Sequence, residues 1–153
     1  MFKKQTGFTL IELIVVIVIL GILAATALPK FVGIQSGARL STLQGARGAV
    51  ASAMNIAYAT QSSQGLASNV GITLDGISIA MLNGYPAAGG AGAASNIYAA
   101  AGLSADYSST APIAASLTIT VANAPTPTSC AFSYTAATAT SPPVVGAIIS
   151  SGC

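Results

Sequence analysis

From Phe8 to Leu28 the chain is apolar at nearly every position, and Glu12 is the one ionisable residue in those 21 positions. A run of this kind has no polar face. As a helix it reaches roughly 30 Å, the thickness of a bilayer core. Beyond Pro29 the pattern changes: Phe31, Ile34, Ala38, Leu43, Ala46, Val50, Ala53 and Ala57 recur at spacings of three to five, so most fall on one helical face. Arg39, Ser41, Gln44 and Arg47 sit largely on the others. Gly65 is the predicted stop, which makes one long helix to about Gln64, apolar all round in its first half and amphipathic in its second. Two positions weaken it. Pro29 removes a hydrogen bond and crowds the preceding turn, and Gly21 costs about 1 kcal/mol relative to Ala.

After Gly65 the period shortens to two. Val70, Ile72 and Leu74 alternate, Asp75-Gly76 is a two-residue hairpin signal, and Ile77, Ile79 and Met81 resume the alternation until Asn83-Gly84-Tyr85-Pro86 stops the pair. The Ala/Gly-rich stretch Ala87–Ser95 reads as a flexible connection without a core, and Asn96–Leu103 as a short helix. Leu117, Ile119 and Val121 form a further strand, Ala124–Thr128 a loop, and Cys130, Phe132 and Tyr134 another strand. Pro142-Pro143 precedes a last one, Val144–Ile149. The tyrosines are expected to pack this head. The economical arrangement is α+β: a long N-terminal helix packed against a C-terminal antiparallel sheet of four or five strands.

Composition sharpens the picture. The chain of 153 residues is 53% hydrophobic and 5% charged, enough for one domain plus the helix. A surface so poor in charge promotes association, a hazard for a free enzyme and no handicap for a subunit of an assembly. If Lys3 and Lys4 leave with a leader, three bases (Lys30, Arg39, Arg47) face three acids (Glu12, Asp75, Asp106). Nothing basic then remains to track a phosphate backbone, so no nucleic-acid partner is expected. Arg39 and Arg47 fit either a solvated stripe or pairing with acids of neighbouring subunits. Cys130 and Cys153 read as one disulfide, and hence as an oxidising compartment, with two separate thiols as the other possibility. No His is present, so two cysteines cannot complete a zinc site. Gly89-Gly90-Ala91-Gly92 has the wrong spacing for a dinucleotide loop, and the serines have no His or activating Lys. Neither an enzyme nor a cofactor is expected.

The N-terminus admits three readings. An ordinary secretory signal explains the basic leader and would use Ala25-Thr26-Ala27 for cleavage, but not a carboxylate in its apolar core. A plain anchor explains the length alone. The third rests on Gly7-Phe8-Thr9-Leu10-Ile11-Glu12 together with Gly21, Pro29 and Lys30-Phe31, a pattern that resembles type IV prepilins. The resemblance covers about the first 35 residues. It implies cleavage by a prepilin peptidase between Gly7 and Phe8 and an N-methylated Phe8. It also implies an assembly role for Glu12, Gly21 and Pro29. Because Pro29 removes a donor and Gly21 lowers the cost of leaving the helix, the segment between them is expected to unwind or kink during assembly. The chain would divide into a leader 1–7, a membrane and assembly helix 8–29, the amphipathic half 30–64 and a β head 65–153.

The hairpin followed by Asn83-Gly84-Tyr85-Pro86-Ala87, with the Cys130 and Cys153 pair, is further similar to pilins of the mannose-sensitive haemagglutinin type. That resemblance implies a homopolymer: an inner-membrane precursor with its head in the periplasm, passed by assembly machinery into an extracellular filament for attachment. A type II secretion pseudopilin is the other reading of the same N-terminus. The disulfide favours the pilin, since major pseudopilins usually rely on calcium held by acids that this chain lacks. A DNA-uptake pilus subunit would want a basic head tip.

Overall fold

Thr9 caps a helix, α1, that runs Leu10–Ser63, and Gly65 ends it. Gly65 lies at φ +62°, its N–H donates to Ser62 O and the Leu66 N–H donates to Gln61 O. This paired closure of orphan carbonyls needs a left-handed residue at Gly65, which is why the predicted stop holds. Pro29 lies inside α1, and the helix continues through it. The computed structural model describes residues 7–89, 96–103, 106–109 and 115–153. The chain divides into two units, Met1–Gly37 and Ala38–Cys153.

In the first unit every described side chain is exposed. Phe31 and Ile34, expected on the packed face, are 62% and 65% exposed, and Ala38 is exposed too. The buried stripe starts later, at Leu43, and continues through Ala46, Val50, Ala53 and Ala57 to Gln61. That face packs against the rest of the second unit, to which it belongs. Leu43 and Val50 pack with Ile97, Leu117, Ile119, Phe132 and Tyr134, while Ala57 packs with Ile72, Ile79 and Met81.

The strands β1 (Ile72–Leu74) and β2 (Ile77–Ile79) pair in the register expected, Ile72 opposite Ile79 and Leu74 opposite Ile77. Their turn is Asp75-Gly76, both at positive φ as a tight two-residue hairpin requires. Met81 does not extend β2. It opens a second hairpin, β3 (Met81–Leu82) with β4 (Tyr85–Pro86), around Asn83 and Gly84 at φ +52° and +88°. The segment read as a stop is therefore itself a turn. Helix α2 is Ile97–Ala100, shorter than Asn96–Leu103, and buried Asn96 caps it by accepting from the Tyr98 and Ala99 N–H groups.

A four-stranded antiparallel sheet follows, in the order β5 (Tyr107–Ser109), β6 (Ser116–Val121), β7 (Ala131–Thr135), β8 (Val144–Val145). The single sheet expected is thus one sheet and two separate hairpins. β8 is shorter than Val144–Ile149, because only a bridge between Ala131 and Ile149 continues the pairing. Ala87 and Ala88 are buried, contrary to a coreless connection, and the rest of that stretch, 90–95, lies outside the described residues.

Tyr134 is fully buried and its hydroxyl donates to Pro86 O at 2.7 Å, tying β7 to β4. Burial, then neighbouring Tyr85, raises its pKa well above the usual phenol value. The tyrosines pack the head unevenly: Tyr98 donates to Tyr107 O and Tyr107 to Thr42 O, whereas Tyr58, 46% exposed, stacks on Tyr85 at 4.8 Å. Tyr134→Phe is expected to lower stability by about 1–3 kcal/mol, since it strands a buried carbonyl. Because the folded pKa is the higher one, the contribution of this hydroxyl is full below about pH 10 and is lost as pH rises toward the folded value. Melting of the detergent-solubilised chain should fall more steeply above about pH 10 than melting of the Phe variant.

Candidate functional site

Five of the residues singled out in the sequence lie on or beside the exposed part of α1. Gly7 and Phe8 precede its first turn, and Phe8 is 90% exposed. Glu12 stands in that turn. Its Oε2 accepts from the Thr9 N–H at 2.8 Å and from the Thr9 hydroxyl at 2.7 Å, while Thr9 Oγ1 accepts from the Glu12 N–H at 3.4 Å. This is a reciprocal capping box. The carboxylate satisfies an orphan N–H of the helix start, where negative charge is also favoured by the helix dipole. Thr9 was not among the residues singled out, although Thr-x-x-Glu before an apolar run is a readable signal of such a cap.

Around this carboxylate Phe8, Ile11, Val15 and Val16 form a shallow apolar trough, and no side chain of the described residues covers it. The helix that follows is long and apolar enough to cross a membrane, with a mean hydropathy of 2.8 over its most apolar window and none of that window buried. Gly21 has no neighbour within van der Waals reach of a would-be Cβ. Between Gly21 and Pro29, the Thr26 hydroxyl donates back to Leu23 O at 2.9 Å. Pro29 has no N–H to give Ala25 O, so that carbonyl lacks its helical donor. The helix is intact here, one backbone donor short.

Cys130 and Cys153 are bonded, with Cα atoms 4.8 Å apart and both residues buried. The arginines of α1 meet the same region. Arg39 Nη1 donates to Cys153 O at 2.9 Å and Arg47 Nε to Gly146 O at 2.9 Å. Arg39 is half-buried and Arg47 exposed, and both are engaged within the chain: they clasp the segment closed by the disulfide to the helix. Position in sequence gave no sign of this, because the acceptors are backbone carbonyls about 100 residues away. Among the described residues no cluster of three His, Cys, Asp or Glu side chains could hold a metal.

Residues 2–28 match the family model described as the prokaryotic N-terminal methylation motif. The chain is 48% identical over 54 residues to the type IV narrow pilus major component PilA5 of Thermus thermophilus, covering 35% of this chain and 47% of that one. Over 54 residues it is 43% identical to the type II secretion system core protein G of Pseudomonas aeruginosa, covering 35% and 38%. The core protein G of Vibrio cholerae is 61% identical over 31 residues, 20% of this chain and 21% of that protein. The matched segment spans less than half the length of each of these relatives. No solved structure gives a significant match. The chain thus carries the prokaryotic N-terminal methylation motif shared by pilins and pseudopilins, on the long helix and antiparallel sheets expected of a type IV pilin.

Proposed function

We propose that this chain is the repeating subunit of a type IV pilus, a structural protein without enzymatic activity. It is made as an inner-membrane precursor and polymerises into a surface filament used for attachment. The observation that carries this reading is the uncovered apolar half of α1 with a capped carboxylate at its start. A helix that is apolar all round is satisfied either by lipid or by other such helices, so the same segment serves before and after assembly. Prepilin peptidase cuts between Gly7 and Phe8, Phe8 becomes an N-methylated terminus, and Glu12 then pairs with the Phe8 amine of a neighbour. The stretch from Gly21 to Pro29, with its missing donor, is where the helix gives way as subunits pack.

Two measurements test the reading. Mass analysis of the mature protein should place its first residue at Phe8, with one added methyl group; a start at Leu28 would identify an ordinary signal peptide instead. Microscopy of sheared surface material should show filaments that vanish when the gene is deleted.

A second reading has its own support. The chain is similar in part to type II secretion core proteins G, and it carries the methylation motif over residues 2–28, so a pseudopilus subunit shares the N-terminal logic. The Cys130–Cys153 bond, which stabilises the chain end without a metal, favours the pilus. Filaments absent from the surface, with loss of a secreted protein on deletion, would reverse the order.

A further inference from the structure

Besides tyrosines, six charged side chains lie between Phe8 and Cys153, three basic and three acidic. Four are engaged within the chain: Glu12 by Thr9, Arg39 and Arg47 by backbone carbonyls, and Asp106, which also has a partner. Two are left. Among the described residues, neither the Lys30 ammonium nor the Asp75 carboxylate makes a hydrogen bond or ion pair.

Their surroundings are complementary. Lys30, Phe31 and Ile34 fall within about 100° of arc on α1, so one base flanks an exposed aromatic and an exposed aliphatic side chain. Asp75 stands at the edge of an open groove of about 340 Å³ walled by Ala49, Ala53 and Ile56 of α1, Leu74 of β1 and Ala100 of α2. Those walls are mostly small and apolar, with Ser52 of α1 as a neutral polar member; Ile56 is 54% exposed, and Asp75 is the only charge among the lining residues. One surface is an apolar ridge with a single base, the other a largely apolar recess with a single acid.

We propose that this groove receives the Lys30-Phe31-Ile34 face of a second copy of the chain, with Lys30 set on Asp75. The proposal rests on the filament reading above and adds a register to it. An exposed ion pair is weak in water, but one closed over by Phe31, Ile34 and Ile56 is screened less and penalises misaligned neighbours. It fixes how far one subunit is displaced along the next more than it adds affinity.

The experiment uses a strain in which this gene supplies the only subunit, with sheared filament normalised to subunit in the membrane. Lys30→Glu and Asp75→Lys should each lower filament yield at least about tenfold, and the double charge swap should recover it to within about threefold of wild type. Asp75→Asn removes the charge while tolerating the left-handed turn, so it separates loss of charge from loss of the hairpin. In intact filaments Lys30→Cys with Asp75→Cys should give a ladder of disulfide-linked subunits. A ladder supports the pairing even where Asp75→Lys disturbs its turn. If Lys30→Glu and Asp75→Asn both stay within about twofold of wild type, the pairing is wrong and the filament reading stands. Loss in Lys30→Glu with neither recovery nor a ladder overturns it in favour of a lipid phosphate as the partner of Lys30. Absence of filaments from the wild-type strain is the separate result that removes the filament reading itself.

Discussion

Glu12→Ala should leave the subunit in the membrane with its head folded, yet absent from filaments. Two losses must be weighed. Within the chain the variant removes the carboxylate half of the capping box, while Thr9 Oγ1 still accepts from the backbone N–H of residue 12, at the first turn of a helix that continues to Ser63. That frays one turn and no more. Between subunits, on the proposed reading, it leaves the Phe8 amine of a neighbour charged and unpaired among apolar helices. Breaking one side of a buried pair costs about 3–5 kcal/mol, and a polymer repeats the loss at every subunit. The second term decides. Sheared filament from a strain with only the Ala variant should fall below detection while membrane levels hold. Glu12→Gln keeps an acceptor for Thr9 and loses the charge, so it should fail in the same way. A normal yield from either variant would remove Glu12 from assembly.

The long helix was legible because its two signals are local: a sustained apolar run needs no partner to be recognised, and Gly65 supplies the one conformation the stop requires. The first hairpin was legible for the same reason, since Asp75-Gly76 encodes both its turn and its register. The second was misread although Asn83-Gly84 is an equally strong turn signal, because β3 and β4 hold two residues each and show no alternation. Strand β5 gave nothing to read: Tyr107–Ser109 pairs at the sheet edge, through the Ser108 and Thr120 hydroxyls as well as its backbone. The stripe drawn from Phe31 to Ala57 was right from Leu43 onward. Periodicity marks a face that can be buried, not what buries it, and Phe31 and Ile34 remain available to another copy. The arginine contacts were out of reach altogether, because a donor to backbone carbonyls leaves no trace in the acceptor's side chain.

Cys153→Ser should destabilise the head without touching the processing site. The bond closes a loop with a sequence separation of 23, and on the chain-entropy estimate its loss costs about 3 kcal/mol. Native contacts do not make this good. The segment after β8 would be held by the bridge of Ile149 to Ala131 and the bonds of Gly152 with Thr126 and Ser129. Arg39 and Arg47 would add their bonds to Cys153 O and Gly146 O. These bonds act in the folded state and add about 0.5–1.5 kcal/mol each, whereas the disulfide restrains the unfolded chain as well. Against a typical stability of about 5–15 kcal/mol, the loss should lower the melting temperature of the head by roughly 10–20 °C. On the proposed reading, subunit level and filament durability should fall with it, while the mature N-terminus should still be Phe8, because the proposed cleavage lies at the other end of the chain. Thiol labelling of intact wild-type filaments is the companion measurement. Two reactive cysteines per subunit would show that the chain end is held by the arginine clasp and sheet pairing alone, and the oxidising compartment inferred from the bond would fall with it.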